Sequence, residues 1–276
     1  MVAGNSPKFT VFTKPWQRQN LDELSELVTG LGFDGVELPV RDGYQVTPDT
    51  IGSELPKAAA ALGAHGLKIG SVATEVNERS IAACGDAGVP IIRTMVGIDL
   101  SVGYHQTELE IRKRWDSLIP ALDRFGVAIG VQNHYGFMIG SAIGIMHLIE
   151  GYDPRHVGAV LDPAHCGLDG EPDKMAIDIV WSHLLLVNLK SAFWVRRTGP
   201  EYDDVKWRSY WSNGHQGLTS WPTVAAELQR RGYTGDICLP AEYSDPDGHD
   251  QKMGDGVVPL VRDDLQFARS LFFGAK

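Results

Sequence analysis

Short apolar, β-branched runs alternate with stretches of helical periodicity along the whole 276-residue chain. The runs begin at Phe9, Gly35, Lys68, Ile91, Val127, Val157, Leu184 and Ile237. Most lie about thirty residues apart, the length of a strand, a loop, a helix and a return. The intervening stretches carry helix signals. Leu21, Leu24, Leu27, Val28 and Leu31 share one helical face, with Asn20 and Glu23 spaced as a capping box. Thr107 and Glu110 repeat that spacing before Trp115, Leu118, Ile119 and Leu122, and Gly126 closes the helix. Ser220 opens another helix with Val224, Ala225 and Leu228 on its inner face, ended by Gly232.

Eight strand-helix units in one chain predict an α/β fold, a (β/α)8 TIM barrel spanning residues 1–276 as a single domain. An open doubly wound sheet is the rival. No G-x-G-x-x-G follows the first strand, which removes its dinucleotide-binding form. One interval is too long: about fifty residues separate the last two strand starts. The excess is a β7–α7 loop at 194–217, without an obvious element of its own. It carries Trp194, Trp207, Tyr210 and Trp211 beside Arg196, Arg197 and Arg208. So much aromatic surface reads as a lid or an oligomer contact.

Composition narrows the function. The 25 Lys and Arg against 35 Asp and Glu give a net charge of −10. That excludes a general nucleic-acid or anionic-membrane binder, which needs a cationic face, but not a small anion held locally. No apolar run is long enough to span a bilayer, and the first residues lack the pattern of a signal peptide. Three scattered cysteines, Cys84, Cys166 and Cys238, with no C-x-x-C, argue against a disulfide framework and a thiolate zinc site and make a reducing cytoplasm the default expectation.

In a TIM barrel the chemistry sits at the carboxyl ends of the strands. The polar residues ending the runs are Glu37, then Gln132-Asn133-His134, Asp162 with His165, Asn188 with Lys190, and Glu242. Gln132, Asp162, Asn188 and Glu242 hold similar positions on four successive strands and each presents an oxygen. Converging on the axis, they would form a hard site of charge −2 suited to Mg²⁺ or Mn²⁺. The alternative is that each is satisfied by backbone or water. His134 and His165 are candidates for proton transfer or substrate contact. Lys190 could hold a carboxylate, a phosphate or an oxyanion, or pair with Asp162 or Glu242. Glu37 and Arg41 are candidate substrate contacts that could equally pair with each other. Trp16 and Trp194, with Trp207 and Trp211, could supply walls for a sugar face or ordinary packing. Cys166 reads as a small buried residue, and His65, His147, His156 and His183 as structural.

Taken together, Phe33-Asp-Gly-Val-Glu-Leu38, Asp162-x-x-His165, Asn188-Leu-Lys190, the run 217–221 and Glu242 resemble the sugar phosphate isomerase/epimerase family of xylose isomerase-like TIM barrels. The resemblance covers nearly the whole chain. It implies a divalent metal held by Glu, Asp, His and Glu from strands five to eight. Asp162 and Glu242 match that set, whereas Gln132 stands for a Glu and Asn188 for a His. It also implies a metal-assisted isomerase or epimerase acting on a small sugar or sugar derivative by proton abstraction beside a carbonyl. A glutamine cannot take that proton, so Glu242 is the remaining carboxylate base, assisted by Lys190 or a histidine. A lyase or dehydratase on a keto-sugar or cyclitol is the runner-up, and a non-catalytic sugar-binding barrel the third reading. Many members associate, so a homo-oligomer is a further expectation.

Overall fold

The computed structural model describes residues 6–247 and 250–274. Eight parallel strands close into a barrel. They are β1 (Phe9–Phe12), β2 (Gly35–Pro39), β3 (Lys68–Ala73), β4 (Ile91–Thr94), β5 (Ala128–Gln132), β6 (Val157–Leu161), β7 (Leu184–Asn188) and β10 (Asp236–Leu239). Each starts within one residue of the position read from the apolar runs. The order is β1-β10-β7-β6-β5-β4-β3-β2, with β10 closing the ring against β1.

Period-two alternation divides the side chains between two cores. Val157, Ala159 and Leu161 of β6, Val187 of β7, and Ile237 and Leu239 of β10 point outward into the helix-facing core. Val160, Leu186 and Cys238 point inward and meet Phe12 and Ala73 at the axis. Gly130 is also inward, at a point where a Cβ would lie 2.7 Å from Val160 Cγ2 and 2.9 Å from Ile91 Cγ2. Only a glycine lets β5 approach its neighbours there. Two steps on from Gly130, Val160 and Leu186 stand Gln132, Asp162 and Asn188. The alternation that fills the barrel floor with apolar groups thus aims polar ones at its mouth.

The surrounding helices follow their sequence signals with one exception. Helix α1 (Leu21–Leu31) has the complete Asn20–Glu23 capping box and ends at left-handed Gly32. Ser220 caps the helix Trp221–Arg230 by accepting from Thr223 N–H. The capping reading of Thr107 is corrected: the helix Tyr104–Phe125 starts three residues earlier, after Gly103. Thr107 Oγ1 instead donates back to the Gly103 carbonyl at 3.0 Å, the bond threonine makes inside a helix. Among the described residues, no helix is long and apolar enough to cross a membrane.

The 194–217 segment also departs from expectation. It belongs to an antiparallel hairpin of β8 (Ser191–Arg196) and β9 (Trp207–Ser212), in which Trp194 faces Ser209 and Phe193 faces Tyr210. Each arm is rich in aromatic residues, Phe193 and Trp194 in one and Trp207, Tyr210 and Trp211 in the other, a residue type that favours strands. Ala192 and Trp211 pack the hairpin onto Ala164 and Leu168 of α6 (Pro163–Leu168), beside the barrel mouth.

Removing the Asn20 side chain leaves orphan donors at the start of α1. Asn20→Ala should cost about 1 kcal/mol, read as a lower urea midpoint with unchanged slope.

Candidate active site

Asp162 ends β6 and caps α6. Its Oδ1 accepts from the backbone N–H of Ala164 and His165 at 3.1 and 3.4 Å. Asn133 clamps the same corner, its Oδ1 accepting from Asp162 N–H at 2.8 Å and its Nδ2 donating to the Asp162 carbonyl at 2.9 Å. The other carboxylate oxygen faces the axis. There Gln132 Nε2 donates to Asp162 Oδ2 at 2.8 Å and Lys190 Nζ lies 3.2 Å away.

Lys190 is the centre of the site. Its ammonium also lies 3.1 Å from Glu242 Oε2 and 3.1 Å from His165 Nε2, and 4.2 Å from the centroid of the Trp211 ring. The second Glu242 oxygen accepts from Lys14 Nζ at 2.7 Å. Glu242 follows Ala241, the one non-glycine residue with positive φ (55°) among the described residues. That left-handed step, costly for a side chain with a Cβ, turns the carboxylate toward the lysines.

A second buried pair adjoins the first. Arg93 on β4 forks onto Glu37 on β2, with Nη2–Oε1 at 2.6 Å and Nε to both oxygens at 2.8 Å. Ser71 Oγ donates to Glu37 Oε2 at 2.8 Å. The remaining guanidinium nitrogen, Nη1, donates to Gln132 Oε1 at 2.5 Å. Glu37 therefore does not pair with Arg41. On a strand, residues four apart are separated by about 13 Å, so a spacing that pairs side chains on a helix does not do so here. Arg41 stands exposed at the rim, its guanidinium 5.8 Å from the Phe12 ring centroid.

These contacts set the charges. Burial works to lower the Lys190 ammonium, but attraction to Asp162 and Glu242 outweighs it and holds the pKa above the ordinary lysine value. Burial alone would raise Glu242, and Lys190 and Lys14 bring it down to about 2. Burial, with the nearby Lys190 charge, keeps His165 well below the usual histidine range. It also lowers His134, where Lys190 again adds to the effect. The two imidazoles stack at 4.1 Å between centroids, and the Tyr135 ring lies 5.3 Å from that of His165.

A cavity of about 180 Å³ opens here, lined by Lys14, Arg41, Arg93, Gln132, His134, Asn188, Lys190 and Glu242 among others. Asn188 Oδ1 is buried without a hydrogen-bond donor. Such an acceptor is costly unless a water or a ligand hydroxyl in the cavity satisfies it. Of the positions expected from sequence, Gln132, Asp162, Asn188, Glu242, His165 and Lys190 come together, and His134 and Arg41 join them at the cavity wall. Two expected sugar-stacking walls do not. Trp16 is fully buried in the outer core with its indole N–H on the Gly254 carbonyl, and Trp194 spends its N–H on the Leu168 carbonyl. Trp211 is the tryptophan beside the charged groups. The sequence reading missed Arg93, Lys14 and the clamp Asn133. The available signal was a cation within the apolar run Ile91-Ile-Arg-Thr.

The donor set does not fit a divalent metal. Gln132 turns its oxygen to Arg93 and its nitrogen to Asp162. Asp162 divides its oxygens between a helix cap and Lys190, and Glu242 divides its own between two lysines. Among the described residues, no group of three or more His, Cys, Asp or Glu side chains is arranged to hold a metal ion.

Fold and site together describe a TIM barrel with a polar cavity at the carboxyl ends of its strands. The family model for the xylose isomerase-like TIM barrel matches residues 25–270, and the chain belongs to that family. No curated protein matches the sequence. Solved structures share the fold. A D-psicose 3-epimerase from Clostridium cellulolyticum H10, solved with D-tagatose, is 13% identical with a TM-score of 0.70, over 96% of this chain and 99% of that one. The 3-keto-D-glucoside 4-epimerase from E. coli is 13% identical, TM-score 0.69, over 96% and 100%. An L-ribulose 3-epimerase is 12% identical, TM-score 0.73, over 98% and 95%. At these identities the likeness is one of fold.

Two outcomes test the charge network. Arg93→Met strands Glu37 in the interior and should destabilise by about 3–5 kcal/mol, with much of the loss recovered in Arg93→Met/Glu37→Gln. Folded Glu242 titrates near 2, below its ordinary value of 4.5, so it stabilises the native state above pH 4.5 and less as pH falls toward 2. Melting temperatures of wild type and Glu242→Gln should therefore converge between pH 6 and pH 3. A gap constant across that range would assign the effect elsewhere.

Proposed function

We propose that this protein is an enzyme that moves a proton beside the carbonyl of a small sugar or sugar derivative, in the manner of a sugar isomerase or epimerase. One observation carries the reading: an imidazole nitrogen with a free lone pair lines the same cavity as a buried ammonium. His134 Nδ1 lies 2.9 Å from the Tyr135 carbonyl. A carbonyl only accepts, so Nδ1 carries the hydrogen and Nε2 is left as the base. Nε2 has no hydrogen-bond partner among the described residues. Glu242 is the weaker candidate, because Lys14 and Lys190 occupy both its oxygens and hold it at about 2.

In this scheme His134 Nε2 takes the proton from the carbon next to the carbonyl. The electron pair moves to the carbonyl oxygen, where the positive charge of Lys190, its three hydrogens already on Asp162, Glu242 and His165, stabilises the developing enediolate. Asn188 Oδ1 accepts from a substrate hydroxyl. Returning the proton to the neighbouring carbon, as a hydroxyl proton passes between the two oxygens, completes an aldose–ketose isomerisation with one base. The sugar epimerases among the proteins of the same fold support a sugar substrate by analogy.

The test is carbon-bound hydrogen exchange. Incubation of wild type in D2O with a panel of aldoses and keto-sugars, followed by proton NMR, should show loss of one C–H signal for at least one sugar. His134→Gln, which keeps a polar side chain and removes the base, should slow that exchange by about 10²–10⁴-fold. Unchanged exchange in His134→Gln would return the base to another residue. Release of water without exchange would indicate a dehydratase. Sugar binding without either reaction would indicate a binding barrel.

A further inference from the structure

We infer that the Lys190 ammonium is the resident cation of this site, standing where the family resemblance implies a divalent metal, and that the protein acts without one. Three independent features point the same way. The first is position. Lys190 Nζ lies between Asp162 Oδ2 at 3.2 Å and Glu242 Oε2 at 3.1 Å, the two carboxylates that match the implied ligand set. A divalent ion bound by oxygens at about 2.0–2.2 Å would sit against that ammonium, and the two like charges would repel inside the protein.

The second feature is the chemistry of the replacements. Glutamine at 132 removes a negative charge, and asparagine at 188 removes an imidazole. The Asp162–Glu242 pair is then matched by Lys190 and Lys14, so no negative charge is left for a metal to neutralise. The third is occupancy. Arg93 Nη1 takes Gln132 Oε1 at 2.5 Å, which leaves Asn188 Oδ1 as the one acceptor of the four without a protein donor. One weak neutral ligand does not hold a divalent ion in water.

The substitution changes what the site offers a ligand. A metal chelates two neighbouring oxygens and fixes them in one plane. An ammonium held by three groups offers charge, and a hydrogen bond only in exchange for one of those contacts. Orientation of the remaining ligand then falls to Asn188 Oδ1 inside and Arg41 at the rim. The inference concerns the same cavity as the proposed reaction but does not rest on it, since it follows from the donor set alone.

Mn²⁺ binding tests it without knowledge of the substrate. Chelator-treated wild type is titrated with Mn²⁺ and free ion is followed by its electron paramagnetic resonance signal. Wild type is expected to show no site with a Kd below about 1 mM. Lys190→Gln frees the two carboxylates and should bind one Mn²⁺ at least tenfold more tightly than wild type. Adding Gln132→Glu and Asn188→His should tighten it further. One Mn²⁺ bound by wild type at micromolar Kd, and lost in Asp162→Asn, would overturn the inference. So would a folded Lys190→Gln with no gain. If that variant does not fold by circular dichroism, the wild-type titration decides alone. Sugar exchange insensitive to EDTA would support the inference, whereas absence of exchange with every sugar would count against the proposed reaction only.

Discussion

A carboxylate at the axis of a barrel must find positive charge or surrender its own, and Asp162 and Glu242 find it in the same ammonium. Lys190 follows the strand between theirs, and the left-handed turn at Ala241 brings Glu242 to it. Removing the lysine would leave two buried anions facing each other, and removing either acid would leave a buried cation half-compensated. The arrangement is stable only as a set. That interdependence makes the site rigid: each side chain is fixed by the partners it neutralises.

The surroundings hold that set in place. Asn133 ties the end of β5 to the end of β6 with hydrogen bonds to both backbone groups of Asp162. The indole N–H of Trp221, a fully buried residue, reaches the Lys190 carbonyl at 3.1 Å and anchors the backbone that carries the ammonium. The hairpin brings Trp211 against the lysine, and Tyr135, hydrogen-bonded to Ser209 at 2.9 Å, ties the imidazole stack to the hairpin. An ammonium below an indole face gains attraction without needing another acid. The hairpin therefore buttresses the charged cluster from behind, through Trp211 against Lys190, and its aromatic residues serve packing.

The barrel was legible because burial on both faces leaves a strong signal in each strand, and the strand starts were located to within a residue. The polar ends of the strands were legible for the same reason: a polar residue closing an apolar run stands out. What the pattern does not encode is which group satisfies which. Glu37 meets Arg93 across 56 positions of chain, through strands that are neighbours of β3 on either side, and no local spacing announces it. Four oxygens at equivalent strand ends were consistent with a metal. The counter-ions that alter that reading, Arg93 and Lys14, are single cations in unremarkable contexts. A site read from its acids alone is read as half a site.

The balance of charge also constrains the ligand. Glu37 is matched by Arg93, and Asp162 and Glu242 by Lys190 and Lys14, so the buried part of the site is close to neutral. A neutral polyol enters it without displacing an ion pair. Its hydroxyls can donate to Asn188 Oδ1, and its carbonyl oxygen can lie against the positive charge of Lys190. Arg41, at the rim and without an ion-pair partner among the described residues, adds one positive charge where the cavity meets solvent. A substrate bearing a carboxylate could place that group there and leave its carbonyl to the interior. Under the proposed reaction, selectivity would therefore be set at the rim and proton transfer at the neutral centre. An acidic protein of net charge −10 can still receive an anionic sugar by this route, because the deciding charge is local.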